Sequence, residues 1–177
     1  MNVLSLFDGM SCGQIALDQL GIPVKNYFAA EIDKYAIQIA RKNYPDMIHL
    51  GDVKNIKTSD THLMDEFDCG HKIDLLIGGS PCQGFSFGGK GLNFQDPRSR
   101  LFFEFDRLLK ALKPKYFLLE NVKMKKESEQ VITDYLGVEP IEINSNLVSA
   151  QNRKRLYWTN IPFDGVPEDK GIMLKDI

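Results

Sequence analysis

The stretch Ile73-Asp74-Leu75-Leu76-Ile77-Gly78-Gly79-Ser80-Pro81-Cys82-Gln83-Gly84-Phe85-Ser86-Phe87 decides how this chain folds. Ile73 to Ile77 is a short apolar run, the length of a buried strand and too short for a buried helix. Paired glycines stop it. Pro81 then restricts Ser80 and stiffens the loop that carries Cys82. A thiol just past the C-terminal end of a parallel strand stands where open α/β sheets place their chemistry. Cys82 is therefore the candidate nucleophile.

Upstream, Val3 to Phe7, Tyr27 to Ala30 and Ile48 to Leu50 read as strands. Gly13 to Leu20 reads as a helix capped by Ser11 and stopped at Gly21. Lys34 to Asn43 is a second helix, capped by Asp33 and ended by Pro45. The polar residues 54–72 are predicted as one irregular helix plus loop. Downstream, Arg100 to Leu112 has helical periodicity, with Leu101, Phe105, Leu108 and Leu112 on one face. Tyr116 to Leu119, Val138 to Ile143 and Leu156 to Thr159 read as strands, with a helix from Glu127 to Tyr135. This alternation predicts an α/β fold: a mostly parallel sheet with helices on both faces. Right-handed crossovers bring the strands' C-terminal ends to one edge.

The 177 residues make one domain, 1–177, with a full core. No apolar run is long enough to span a membrane. The N-terminus enters a strand without a basic leader, so a cytoplasmic protein is expected. Three widely spaced cysteines do not form a disulfide framework. Cys69 and His71 lack a second ligand pair, so no metal is expected. The net charge of −2 gives no nucleic-acid signature for the whole chain. Lys123-Met124-Lys125-Lys126 and Arg153-Lys154-Arg155 are local basic clusters, each of which also reads as an ordinary solvated face.

The informative pattern is what the strand ends carry. The first ends at Asp8-Gly9, the second at Glu31, the third at Asp52, the fourth at the Cys82 loop and the fifth at Glu120-Asn121. A glycine turn after a first strand, with an acid 22 residues beyond Gly9 at Glu31, is the arrangement of a nucleotide pocket. Asp8-Gly9-Met10-Ser11-Cys12-Gly13 lacks the central glycine of a dinucleotide loop, which favours an adenosyl ligand without phosphates, such as S-adenosylmethionine, over NAD. Asp52 is suited to accept from an adenine amine. As structural readings, Glu31 caps the next helix and Cys82 is an inert thiol. His49, His62 and His71 all precede the loop and do not suit a cysteine–histidine pair, which weakens a hydrolase reading. Glu120, at the end of an apolar strand, is a candidate proton donor. Gln151, Arg153 and Arg155 alternate and share one face if the segment is extended.

Taken in order, these motifs resemble the cytosine-5 DNA methyltransferases over nearly the whole chain. Leu6-Phe7-Asp8-Gly9 resembles the family's S-adenosylmethionine loop, and Glu31 and Gly51-Asp52-Val53 its ribose and adenine contacts. Gly79-Ser80-Pro81-Cys82-Gln83 is similar to the nucleophile motif, and Glu120-Asn121-Val122 to the catalytic glutamate motif. Gln151-Asn152-Arg153-Lys154-Arg155 is similar to the paired-arginine motif, and Asp96 to Glu104 to the segment beside the cofactor's methionine. The first strand and Arg100 to Phe105 read closest to the de novo branch and phage-like relatives.

The resemblance implies a Rossmann-like S-adenosylmethionine-dependent methyltransferase fold. It implies catalytic roles for Cys82, Glu120, Arg153 and Arg155. Cofactor contacts would come from Phe7, Asp8, Gly9, Glu31, Ile32, Asp52, Val53, Ser80, Pro81 and Leu101, and substrate contacts from Gln83, Ser86, Asn121, Val122 and Gln151. The cofactor would be S-adenosyl-L-methionine, giving S-adenosyl-L-homocysteine, without a metal. The substrate would be a cytosine flipped out of double-stranded DNA. The glycine-rich loop Gly84 to Gly91 is expected to hinge over it. Family members continue past the paired arginines into a target-recognition region and a closing helix. This chain is expected to lack both and to need a missing C-terminal part or a second polypeptide for full activity. The alternatives are a non-catalytic S-adenosylmethionine-binding subunit or inactive remnant, a tRNA cytosine-5 methyltransferase, and a nucleotide-dependent oxidoreductase. The last lacks a catalytic His or Tyr–Lys pair.

Overall fold

The structure is a computed structural model, and it describes residues 1–64, 70–81 and 100–176, without the Arg100 side chain. A seven-stranded sheet forms the centre, built from β1 (Asn2–Leu6), β2 (Asn26–Ala30), β3 (Ile48–Gly51), β7 (Leu75–Gly78), β8 (Tyr116–Val122), β9 (Ile141–Asn144) and β10 (Lys154–Thr159). Its order is β3-β2-β1-β7-β8-β10-β9. Parallel pairing joins β3, β2, β1, β7 and β8, while β10 runs antiparallel to both neighbours. Strand order reverses at β1/β7, the switch point where such sheets open a crevice at their C-terminal edge. The parallel, helix-flanked sheet read from the sequence is therefore present.

Alternate residues of each strand feed two cores. Leu4, Leu6, Phe28, Leu76, Leu119, Leu156 and Trp158 face one side, which is covered by α3 (Arg100–Leu112) and α4 (Lys126–Leu136). Trp158 is fully buried, and its indole N–H donates to Thr133 Oγ1 at 3.0 Å, which removes the cost of burying that polar group. Val3, Tyr27, Ala29 and Leu75 face the other side, where α1 (Cys12–Gln19) contributes Leu17. On α3 the core face is Phe102, Phe105, Leu108 and Leu112, each contributing about 1.5–3 kcal/mol by burial. Leu101, expected on that face, is partly buried: it packs against the same core and also lines a cleft at the sheet edge.

Three local expectations change. Residues 54–72 hold no α-helix where described. They form a short 3-10 turn, Val53–Asn55, and an antiparallel ribbon of β4 (Thr58–Ser59), β5 (His62–Met64) and β6 (Gly70–His71). Too few apolar residues recur there at helical spacing to hold a helix against α3. Ser11 occupies the N-cap position of α1 but makes no capping bond, because its hydroxyl is turned to Asp8. The strand expected from Val138 to Ile143 is shifted to Ile141–Asn144. Asp33, by contrast, caps α2 (Lys34–Asn43) as expected, accepting from the Tyr35 and Ala36 amides. Among the described residues no helix is long and apolar enough to cross a membrane.

Candidate functional site

The parallel strands deliver their C-terminal residues to one edge. A cleft there is lined by Phe7, Ala30, Glu31, Ile32, Gly51, Asp52, Val53, Lys54, Pro81 and Leu101. Seven residues expected to contact a cofactor stand in this wall: Phe7, Glu31, Ile32, Asp52, Val53, Pro81 and Leu101. Ala30, Gly51 and Lys54 join them, carried there simply by being next to strand ends.

The two carboxylates of the cleft are fixed differently. Glu31 Oε2 accepts from the Gly9 amide at 2.8 Å, and Oε1 accepts from the Ile32 and Asp33 amides at 2.7 and 2.9 Å. Three backbone donors thus orient one half-exposed carboxylate while leaving it acceptor capacity for a hydroxyl. Asp52 sits at the N-cap of the Val53–Asn55 turn and accepts from the Lys54 amide at 3.0 Å. Its second oxygen makes no such contact with the turn. Among the apolar residues lining the same cleft, Ile32 is 74% exposed.

Gly9 and Asp8 spend their backbone donors inside the fold. Both amides are already used: Gly9 N–H on Glu31, Asp8 N–H on the Ala30 carbonyl at 3.1 Å. A phosphate would find neither of these two donors free. The Asp8 carboxylate is buried and accepts from Tyr27 Oη at 2.7 Å and Ser11 Oγ at 2.5 Å, so it belongs to the turn's framework instead of the cleft wall.

The second half of the site is built on β8. Glu120 and Asn121 point to opposite faces of the strand. Glu120 is partly exposed, and its Oε1 lies 2.7 Å from Arg155 Nε, an ion pair without hydrogen-bond alignment of that N–H. Tyr157 stands directly across from Glu120 in the β8–β10 register. Burial, and next the Glu120 charge, raise its phenol above the ordinary range. The sequence reading missed Tyr157. The alternation of Arg153, Arg155 and Tyr157 was the available signal.

Gly79 closes against this group, since a Cβ there would stand 3.1 Å from Glu120 Oε2. Asn121, buried at 1%, donates from Nδ2 to Ser80 Oγ at 3.1 Å and to the Ser80 carbonyl at 3.3 Å. Its Oδ1 accepts from its neighbour's amide, Val122 N–H, at 2.8 Å. Ser80 and Asn121 are thus buried against each other. Neither is among the residues lining the cleft described above. The two neighbours on β8 therefore grip Gly79-Ser80, the arm that leads to Pro81 and Cys82.

Gln151 and Arg153 lie before β10 begins at Lys154 and are exposed, so the single extended face expected from 151 to 155 is not formed. The turn is held instead by Asn144, whose Oδ1 accepts the Arg153 amide at 2.9 Å. Of the basic clusters, Lys123 pairs with Glu142 and Lys126 with Glu129, each at 2.7 Å, while Met124 is core. Cys82, Gln83, Ser86, the Gly84–Gly91 loop and Cys69 lie outside the described residues. Among the described residues, no three His, Cys, Asp or Glu side chains gather as metal ligands would.

Comparison with known proteins agrees with this geometry. Residues 1–164 match the family described as C-5 cytosine-specific DNA methylase. Over 94% of its length the chain is 36% identical to the type II methyltransferase M.NlaIV of Neisseria lactamica, covering 44% of that protein. It is 33% identical over 99% of its length to the orphan methyltransferase M.Rho11sI of Bacillus phage rho11s, covering 36% of it. A solved prophage-encoded DNA modification methyltransferase of E. coli superposes with a TM-score of 0.72 at 29% identity, over 90% of this chain and 46% of that one. The S. pombe Dnmt2 methyltransferase shares the fold, with a TM-score of 0.62 at 23% identity over 94% of this chain and 51% of that one. The chain spans about two fifths of the length of the curated relatives it matches. A cofactor-type cleft on the switch point, a Glu120–Arg155 pair beside the Cys82 arm and a family match over residues 1–164 have one common explanation: the chain belongs to the C-5 cytosine-specific DNA methylases.

Proposed function

We propose that this chain is the cofactor-binding and catalytic part of a DNA (cytosine-5)-methyltransferase. The observation that carries the reading is the joint placement, along one sheet edge, of the cleft lined by Glu31 and Asp52 and the Glu120–Arg155 pair, with Gly79-Ser80-Pro81 leading from one to the other. The cleft fits S-adenosyl-L-methionine: Glu31 for the ribose hydroxyls, Asp52 for the adenine amine, and Ile32 and Val53 for the ring faces. When bound, that cofactor supplies the methyl group and leaves as S-adenosyl-L-homocysteine.

The chain's own residues then divide the work. The Cys82 thiolate adds to carbon 6 of a flipped-out cytosine. Glu120 hydrogen-bonds or protonates ring N3, which lets the ring accept the electron pair and makes carbon 5 nucleophilic. Methyl transfer to carbon 5 is followed by loss of its proton and expulsion of Cys82. Arg155 holds the Glu120 carboxylate in place. Exposed Arg153 is available to the base's flanking phosphate. Target recognition is assigned, in this reading, to a part outside residues 1–177 or to a second polypeptide. The chain acts in the cytoplasm, where bacterial or phage DNA is found.

The test is transfer of labelled methyl groups from S-adenosylmethionine, with the C-terminal half of a relative supplied in trans. Labelling of duplex DNA and not of tRNA is expected. Labelling of tRNA alone would make it an RNA methyltransferase, and cofactor binding with labelling of neither would make it a non-catalytic subunit.

A further inference from the structure

We infer that Tyr27 is a positioning residue for the cofactor cleft, holding the strained turn from Phe7 to Ser11 in its binding shape through the Asp8 carboxylate. The inference rests on the cleft reading above. Phe7, Gly9 and Ser11 have φ of 58°, 61° and 66°, so three residues of this five-residue turn are left-handed and two of them carry side chains. Such a backbone persists only where its surroundings over-determine it. The turn also sets the cleft directly, since Phe7 lines it and the Gly9 amide orients Glu31.

What over-determines the turn lies behind it. Asp8 Oδ1 accepts from Tyr27 Oη and Oδ2 from Ser11 Oγ, and the Ser11 amide closes onto the Asp8 carbonyl at 3.2 Å. Tyr27 is 4% exposed on β2 and does not line the cofactor cleft, so its effect there passes through Asp8. Burial, followed by the Asp8 charge, raises the phenol far above its ordinary range, so it remains a donor at any physiological pH. The fold keeps room for this hydroxyl. A Cβ on Gly13 would stand 2.8 Å from Tyr27 Oη and would also run into the Ile77 side chain.

With the Tyr27 bond gone, the left-handed residues relax toward ordinary backbone and the binding-competent turn becomes a fraction of the population. Apparent affinity falls by that fraction. The experiment measures S-adenosyl-L-homocysteine binding by calorimetry and amide exchange by NMR on the wild-type chain, Tyr27→Phe, Asp8→Ala and the double variant. Tyr27→Phe is expected to bind about tenfold more weakly, the loss expected from one hydrogen bond to a charged group. It should lose protection at the Gly9 amide while Leu76 and Leu119 keep theirs. In the Asp8→Ala background, Tyr27→Phe should add little. A merely structural role would lower protection throughout the sheet and leave the affinity of the folded chain unchanged. Wild-type affinity in Tyr27→Phe overturns the inference and leaves the cleft reading standing. A wild-type chain that binds no S-adenosyl-L-homocysteine even with the C-terminal half of a relative supplied overturns both.

Discussion

Arg155 Nε and Glu120 Oε1 stand 2.7 Å apart across the β8–β10 pair, with the Arg155 side chain 17% and the Glu120 side chain 32% exposed. The guanidinium is the more buried partner, and it fixes a carboxylate that remains open to a substrate. Removing it should hurt catalysis more than folding. With the C-terminal half of a relative supplied, Arg155→Ala is expected to lower kcat by about 100-fold, the order of a misplaced acid–base group. The affinity for S-adenosylmethionine should stay the same. Arg155→Lys should recover only part of the rate, because an ammonium cannot reproduce the planar fork. Rapid-quench kinetics separates the two.

Tyr157 reports on the same carboxylate. Its phenol is raised first by burial and then by the Glu120 charge. Glu120→Gln removes that charge while keeping the shape, so the Tyr157 titration should move down in pH. NMR of ring-labelled tyrosine, assigned with Tyr157→Phe, measures it. An unmoved titration would place the carboxylate away from the ring.

Asn121 is a structural clamp on the arm that precedes the nucleophile. Asn121→Ala leaves the Ser80 hydroxyl and carbonyl, both facing a buried side chain, without their donor. A stability loss of about 1–3 kcal/mol is expected in urea unfolding. Ser80→Ala removes one of the two acceptors and should cost less.

His49 makes the fold sensitive to acid. Both ring nitrogens are shielded and without a partner among the described residues. Burial, followed by the Arg41 charge, lowers its pKa, and the Asp8 charge only partly opposes them. The folded protein therefore takes up this proton less readily than the unfolded chain. Above the unfolded histidine's pKa the ring is neutral in both states, so stability there does not depend on this proton. As pH falls through that value the unfolded state binds more protons and stability drops, levelling off below the folded pKa. Urea midpoints at pH 7.5 and 5.5 should therefore fall further for wild type than for His49→Phe.

The sheet was legible because each strand is a short apolar run closed by glycine, acid or proline, as in Ile73 to Gly78 and Tyr116 to Asn121. Most of the cleft was legible for the same reason: a parallel strand's end fixes where its next residue goes, which put Glu31, Asp52 and Pro81 in one wall. Single-residue orientation was less legible. Asp8 and Ser80 follow strand ends too, yet their side chains turn inward to Tyr27 and Asn121, partners 19 and 41 residues away that no local pattern announces. Residues 54–72 failed differently, since β4 to β6 are strands of two or three residues, too short for any period to show.

The most direct test of the account is trapping of the reaction on Cys82. The chain, with the C-terminal half of a relative, is incubated with S-adenosylmethionine and duplex DNA containing 5-fluorocytosine, whose fluorine blocks release of the enzyme. A denaturant-stable protein–DNA adduct is expected, mapping by mass spectrometry to the peptide containing Cys82 and lost in Cys82→Ala. Absence of an adduct while the chain binds the cofactor, or an adduct that survives in Cys82→Ala, would contradict it.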